Sequence, residues 1–535
     1  MKVMKLKKDR KYTFLLLAVL LLGGVFYLGG SLWGLPALLH PDEWSIVSPA
    51  IQMIKDHTFE PNVFFRPDHL LIMLNMLVYK ALTYLVGMPI EVIEAGHLHW
   101  LYFISRLITG CFGIGCILLS YFIGSKFHKA AGLSAAFLFA CYPLMVFNGH
   151  YVTPDIPTVF FMLLFILIAM KYMVQPGYKQ LALLCLATAM FITIKYTGAI
   201  LCLFIAIVVI YTSIRDKDYW KIIKQGFSAV FLCVFFVFLI SPVLFTNFTA
   251  AKNAFLKEAR TTHLGADGLG FFGNLLFYCK TFVDYGGILL VPFMIVGIYF
   301  LLKKHKENVK GQSLPVFFSF IYWIVLSCVA LHWDRWALPM YVSPLLLSSL
   351  GIWYSVKWIR ETGVKNARGK AFGIAVYGAA GLIALNLLTG STVSLLRHMV
   401  TDTRVLSKAY CDENNITEEN AAYEGYTPLL QGAMKNIFDE FDENQGFRLK
   451  DPAKEYVVLS SDAYGRYLAE PERFQTQNAC YQAIFNDYEL VKRFDSVKKD
   501  SSCIDIVNIV YNINYFIQIG KMPATGPDIL IYRTK

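Results

Sequence analysis

Charge is the first thing this sequence is short of. Asp, Glu, Lys and Arg make up 16% of its 535 residues, where soluble chains carry about 25%. That deficit excludes the two to four soluble domains a chain of this length would otherwise form. The markers of nucleotide chemistry are missing too: there is no phosphate-cradling P-loop, no G-x-G-x-x-G after a strand and no G-x-S-x-G nucleophile turn. No C-x-x-C spacing occurs among Cys411, Cys480 and Cys503 near the C-terminus, so zinc is not expected there, and three thiols allow one disulfide with one left over. No period of 20–50 residues repeats, which excludes solenoids and propellers.

What is present is apolar. Hydrophobic residues reach 56% and mean hydropathy is +0.49. Stretches long enough to cross ~30 Å of hydrocarbon fall near 12–34, 99–124, 130–149, 155–174, 180–196, 199–214, 225–246, 285–303, 314–333, 337–358 and 371–396. Eight of the eleven cysteines lie in or beside these runs and read as small hydrophobes. The basic start (Lys5, Lys7, Lys8, Arg10, Lys11) resembles a signal peptide, but the run that follows is too long and lacks a small-x-small site. An uncleaved anchor is expected.

The net charge of +11 invites a nucleic-acid partner until it is divided. Residues 1–400 hold 34 Lys and Arg against 17 acids, while 401–535 hold 15 against 21. The excess belongs to the membrane part, and no nucleic-acid partner is expected. With the N-terminus in the cytoplasm, the inside segments are 1–11, 124–130, 171–179, 215–224, 303–310 and 357–370. They contain 23 of the 34 basic residues but 5 of the 17 acids, the asymmetry of the positive-inside rule. This gives a multi-pass plasma-membrane protein of about eleven spans (residues 1–396) with a C-terminal unit, 397–535, outside.

The long outer loop 35–98 is expected to hold two helices along the interface, 44–59 and 68–86, because a span at 68–86 would reverse every later loop. A second outer loop, 247–283, holds His263, read as an ordinary loop residue, and a glycine-rich stretch from Gly265 to Gly273. The C-terminal unit reads as a small α/β domain, with strands at 455–461 and 528–534, a helix at 480–494 and a turn at Pro523, Gly526 and Pro527.

Candidate chemistry gathers on the outer side. Asp42 and Glu43 follow the first span, and adjacent carboxylates at a membrane surface are costly unless paired, hydrated or bound to a cation. One could serve as a general base; the plainer alternative is a helix cap, with Asp42 as N-cap. Asp155 lies in the next outer turn and could equally just cap its helix. Arg66, Lys195 and Arg335 lie at the same level, with Arg106 inside the second span. Singly each is an ordinary snorkelling cation; together they suit a phosphate whose lipid tail stays in the bilayer. His332 with Asp42 and Asp155 could complete a divalent metal site, although no ligand spacing supports it, and no cofactor is required.

A first span followed by His40-Pro41-Asp42-Glu43-Trp44 resembles the membrane-embedded GT-C glycosyltransferases, and within them the protein O-mannosyltransferase and lipid A aminoarabinose transferase branch. The resemblance continues through residues 102–127, 136–164, TIKYTG (193–198) and DRWALPMYVSPLLL (334–347). YEGYTPLL (423–430) and GPDILIYRTK (526–535) resemble tails of bacterial relatives, which implies a bacterial cell membrane. The family implies a polyprenyl-phosphate sugar donor and a catalytic acid in the first outer loop, which by motif is Asp42 with Glu43 beside it. Asp155 matches the second acidic position. Arg66 stands where relatives often carry a basic residue, although its Arg-Pro-Asp-His context departs from their Pro-Pro form. Metal use varies across the superfamily.

The expected function is an inverting-type transfer of a sugar from a lipid-linked phosphate to an outer-face glycan, lipid or protein acceptor. The competing class is a transporter or lipid-carrier flippase, which would show inverted repeats and charges at mid-membrane; neither is visible. Sidedness is directly testable: a thiol reagent confined to the outer side should label a cysteine introduced at Ser461 and miss one at Lys306. The reverse pattern would overturn the topology.

Overall fold

The computed structural model describes every residue except 1, 62, 65, 259–268, 305–310, 363–366, 431–434 and 535. His263, Gly265 and Lys306 therefore lie outside the described residues. Up to residue 396 the described residues are mostly helical, as they must be where hydrocarbon offers the backbone no other hydrogen-bond partner. Among the described residues eight helices are long and apolar enough to span a membrane, or nine if Gly270–Gly286 and Leu290–Lys304 form one bent span. The eleven apolar segments all lie on helices, but three are short: Lys129–Ala140, Tyr178–Ile194 and Leu314–Ser327. In the first of these, the chain breaks at Cys141 and restarts as Pro143–Asn148, because Pro143 can open a helix but not continue one. Conversely His69–Val86, expected along the interface, meets the length and composition of a span.

The core of the bundle depends on close backbone approach. Helix Leu290–Lys304 packs on Val342–Thr362 through two glycines. A Cβ on Gly297 would meet the Leu347 carbonyl at 2.0 Å, and one on Gly351 the Phe293 carbonyl at 1.8 Å. Small residues serve this purpose between membrane helices. The two halves of the bent pair meet at 108°. The N–H groups freed there are taken up by the C-terminal unit: Ile288 donates to the Cys503 carbonyl at 2.8 Å and Leu289 to Asp505 Oδ2 at 3.1 Å. Gly287 turns this corner with φ +87°, and a Cβ there would lie 2.1 Å from Asp505 Oδ1.

After the first helix, helix Trp44–Lys55 buries Ile46, Val47, Ala50 and Ile51 against Leu71, Ile72, Met76 and Tyr79 of His69–Val86. It stops four residues short of the expected end, where His57 takes a positive φ. Its N-cap is Glu43, not Asp42.

The C-terminal unit is α/β. Its sheet runs Ala421–Tyr423, Tyr456–Ser460, Ile529–Arg533, Glu489–Phe494, with the first pair parallel and the others antiparallel. The central strands match the expected 455–461 and 528–534. The helix expected at 480–494 divides: Gln475–Asp487 is helical, while Glu489–Phe494 is an edge strand paired with Ile529–Arg533. Local pattern could not separate them, since pairing with a segment some forty residues later decides the strand. A helix the sequence pattern did not reveal, Asp505–Lys521, runs back along Ala367–Leu396. Asn508 donates to Asn386 at 2.7 Å and Asn512 to Thr389 at 3.1 Å.

One buried ion pair ties the first loop to the bundle. Glu43 and Arg106 have fully buried side chains. Arg106 donates Nε and Nη2 to the two Glu43 oxygens at 2.8 and 2.7 Å, and Nη1 to the carbonyls of Ser31 and Trp33 at 3.1 and 2.6 Å. Val152 N–H completes Glu43 at 3.0 Å. Removing one partner strands a buried charge, which costs ~3–5 kcal/mol. Arg106→Met and Glu43→Leu should each sharply lower the melting temperature in detergent. The double variant should regain most of the loss; a loss in the double equal to the sum of the two single losses would show that the two side chains do not act as a pair.

Candidate active site

Three cations and three acids come together at one end of the helices, where the C-terminal unit packs. Asp42 lies in the turn between the first helix and Trp44–Lys55. Its carbonyl accepts from Ser45 N–H and from Ser45 Oγ at 2.7 Å. Its own N–H donates to His40 Nδ1 at 3.2 Å. That contact needs a neutral ring, and burial lowers His40 to about 4 despite nearby Glu43 and Asp42. The His40 ring lies against Tyr151 at 4.2 Å between centroids.

Arg66 and Lys195 are set side by side by backbone pairing. Pro67 bridges antiparallel to Lys195, and Asp68 N–H donates to the Ile194 carbonyl at 3.2 Å. Lys195 occupies the break after helix Tyr178–Ile194, where the chain is extended. Asp155 is the first residue of helix Asp155–Val174, a position that favours negative charge. Arg335 stands in the 3-10 segment Asp334–Tyr341.

The contacts form a linked chain. Asp42 Oδ2 lies 3.2 Å from Arg66 and 2.7 Å from Arg335. Arg66 also donates to Asp68 at 2.9 Å and to Ser45 Oγ at 2.9 Å. Arg335 reaches toward Asp155 Oδ2 at 4.0 Å, and Asp155 Oδ1 accepts from Lys195 at 3.0 Å. Lys195 further lies 5.2 Å from the Trp336 ring centroid. Burial alone would raise Asp42, but Arg66 and then Arg335 outweigh it and hold the carboxyl well below the usual range.

A cavity of about 560 Å³ opens on this cluster. Asp42, Arg66 and Arg335 line it, whereas Asp155 and Lys195 are buried behind Arg335. Glu43 and Arg106, both expected near the substrate, are turned away into their own pair. Adjacent side chains diverge here: Asp42 faces the cavity and Glu43 the core. Lys195 is engaged by Asp155 instead of facing the cavity.

Residues that sequence reasoning did not single out complete the walls. Asp68 shares Arg66 with Asp42, and its place in Arg66-Pro67-Asp68-His69 was the available signal. The roof comes from the C-terminal unit through Tyr426, Asp462, Arg466 and Gly526. Arg466 lies over the Tyr426 ring at 5.1 Å. Arg404 fastens this roof: it donates to both oxygens of Asp402 at 2.8 and 2.9 Å and to the Leu39 carbonyl at 3.0 Å. Tyr426 and Gly526 fall in the segments 423–430 and 526–535 that resemble tails of bacterial relatives, but nothing in the sequence placed them over the cavity.

Among the described residues no group of three or more His, Cys, Asp or Glu side chains could hold a metal ion. Asp42 and Asp155 converge on Arg335, and His332 lines a neighbouring chamber beside Phe277. The residues at hand do not fit a metal shared by Asp42, Asp155 and His332.

The electrostatics make a prediction of their own. A carboxylate held low in the folded state adds stability above its unfolded value, about 4 for Asp. That stability is lost as pH falls through the lower folded value. Arg335→Ala should therefore melt earlier than the native chain at neutral pH, and the gap should close in strong acid. A gap independent of pH would detach Arg335 from the carboxylates.

Residues 90–245 match the family described as dolichyl-phosphate-mannose-protein mannosyltransferase. Among curated proteins no match is found. The fold is similar to that of the archaeal oligosaccharyltransferase AglB from Archaeoglobus fulgidus, solved with an inhibitory peptide and a dolichol-phosphate. The TM-score is 0.54 at 11% identity over 98% of this chain and 89% of that one. It is also similar to ArnT from Cupriavidus metallidurans in the apo state, with a TM-score of 0.51 at 15% identity over 91% of this chain and 96% of that one. The architecture is thus the GT-C fold of membrane glycosyltransferases.

Proposed function

We propose that this multi-pass membrane protein of GT-C fold transfers a sugar from a polyprenyl-phosphate donor to an acceptor at the outer face of a bacterial cell membrane. The observation that carries the reading is a carboxylate on a cavity wall, gripped by two guanidinium groups at 2.7 and 3.2 Å. Guanidinium groups bind phosphate as well as carboxylate, and often bidentately. The match of residues 90–245 to a dolichyl-phosphate-mannose-dependent family supports a lipid-phosphate donor. So does the fold neighbour solved with a dolichol-phosphate.

In this mechanism the donor phosphate takes over Arg335 and Arg66. Asp42 then loses the two charges that suppress its basicity, so donor binding itself readies the base. The acceptor hydroxyl attacks the anomeric carbon from the face opposite the phosphate, and its proton passes to Asp42. The carbon–oxygen bond to phosphate breaks, the electron pair leaves with the phosphate, and the arginines stabilise the charge that develops. Asp155, itself held by Lys195, holds Arg335 from behind. Asp68 keeps Arg66 in place.

The deciding experiment is a transfer assay with purified protein and a panel of polyprenyl-phosphate sugars. Asp42→Asn should lower turnover by ~10²–10⁴-fold while donor binding persists. Glu43→Gln should act through stability, with loss of folded protein. Near-normal turnover in Asp42→Asn would make Asp155 the next candidate. Movement of the lipid carrier across the bilayer without any transfer would favour a flippase.

A further inference from the structure

A second chamber, of about 490 Å³, adjoins the active-site cavity and shares Phe147, Trp333 and Arg397 with it. Helix Gly270–Gly286, the outer end of Ala367–Leu396 and the C-terminal residues Lys499 and Ser501 enclose it. Its acids and its cations differ in one respect. Asp284 is engaged by Lys280, and Asp334 accepts from Tyr285 Oη at 3.2 Å and from Arg335 N–H at 2.7 Å. Among the described residues the side chains of Lys499 and Arg397 have no hydrogen-bond or ion-pair partner. Each rests on a ring instead, Lys499 5.8 Å from the Tyr285 centroid and Arg397 4.8 Å from that of Phe147.

Two like charges, half-buried and unpaired at one chamber, raise the free energy of the empty state. Burial, and then Arg397, lowers Lys499 to about 8 against the opposing pull of Asp284, which Lys280 already engages. A ligand anion would relieve both groups at once through charge-assisted hydrogen bonds. Ser501 offers a hydroxyl, whereas Thr281 and Ser394 already donate theirs to backbone carbonyls, and the aromatic walls offer flat apolar faces.

We propose that this chamber seats a phosphate or carboxylate group, gripped by Arg397 from the membrane part and Lys499 from the C-terminal unit. It is separate from the lipid phosphate assigned to Arg335 and Arg66. Under the transferase reading, on which this last step rests, the anion belongs to the acceptor. Arg397 and Trp333 line both spaces, so an acceptor could hold its anionic group in the chamber and extend a hydroxyl toward Asp42.

Acetylation of Lys499, followed site by site by mass spectrometry, tests this without turnover, so the answer does not depend on whether transfer is ever observed. The full chain in phosphatidylcholine nanodiscs is treated in inorganic phosphate, acetate or chloride at equal ionic strength. A second set of discs contains phosphatidylglycerol. Phosphate or acetate should slow Lys499 acetylation several-fold relative to chloride. Protection should survive in Arg397→Lys and in Asp42→Asn but vanish in Arg397→Gln. Protection confined to phosphatidylglycerol discs would keep the anion site and overturn the acceptor assignment in favour of a lipid headgroup. Equal rates in every arm, or protection undiminished in Arg397→Gln, would overturn the site.

Discussion

The bidentate pair between Glu43 and Arg106 governs the arrangement of the candidate site. Both groups are fully buried, and an unpaired charge at that depth would be prohibitive. The chain leaving the first helix is therefore held in one path: Arg106 collects the carbonyls of Ser31 and Trp33 while Glu43 collects Val152 N–H. With Glu43 fixed inward, its neighbour has little choice but to face the cavity. The direction of Asp42 is thus decided one residue away, by a contact that never meets the cavity.

The same economy recurs above it. Trp33 lies between two guanidinium groups, Arg106 and Arg404, each 5.7 Å from its ring. One belongs to the bundle and the other to the C-terminal unit, so a single indole registers the bundle and that unit against each other. Arg404 reaches on to the Leu39 carbonyl, one residue before His40. The roof and the loop carrying Asp42 are in this way positioned by one shared set of contacts, with Arg335 and its acids supplying the opposite wall.

Much of this was legible in the sequence. Apolar runs located the helices, because hydrocarbon enforces helical backbone wherever it is met. Asp42, Arg66 and Arg335, hundreds of residues apart at the extremes, could be grouped from sidedness and motif, and the fold brings them within hydrogen-bonding distance. Adjacency argued that Asp42 and Glu43 would not both face one point, but only burial shows where Glu43 goes, into the pair with Arg106. Arg106 and Lys195 were legible as cations but not as partners of Glu43 and Asp155. The strand Glu489–Phe494 and the roof residues depend on contacts made across long stretches of chain, which local periodicity does not carry.

Helix Asp505–Lys521 has a mechanical consequence. A flap joined along one edge can swing about that edge. The C-terminal unit is joined along two: it continues from Ala367–Leu396, and it returns to that same helix through Asn508 and Asn512 after filling the corner at Gly287. Lifting it would uncover the Ile288 and Leu289 amides and break both asparagine contacts at the same moment. The roof is stitched down, and the C-terminal unit cannot lift from the bundle without breaking contacts at both of its seams.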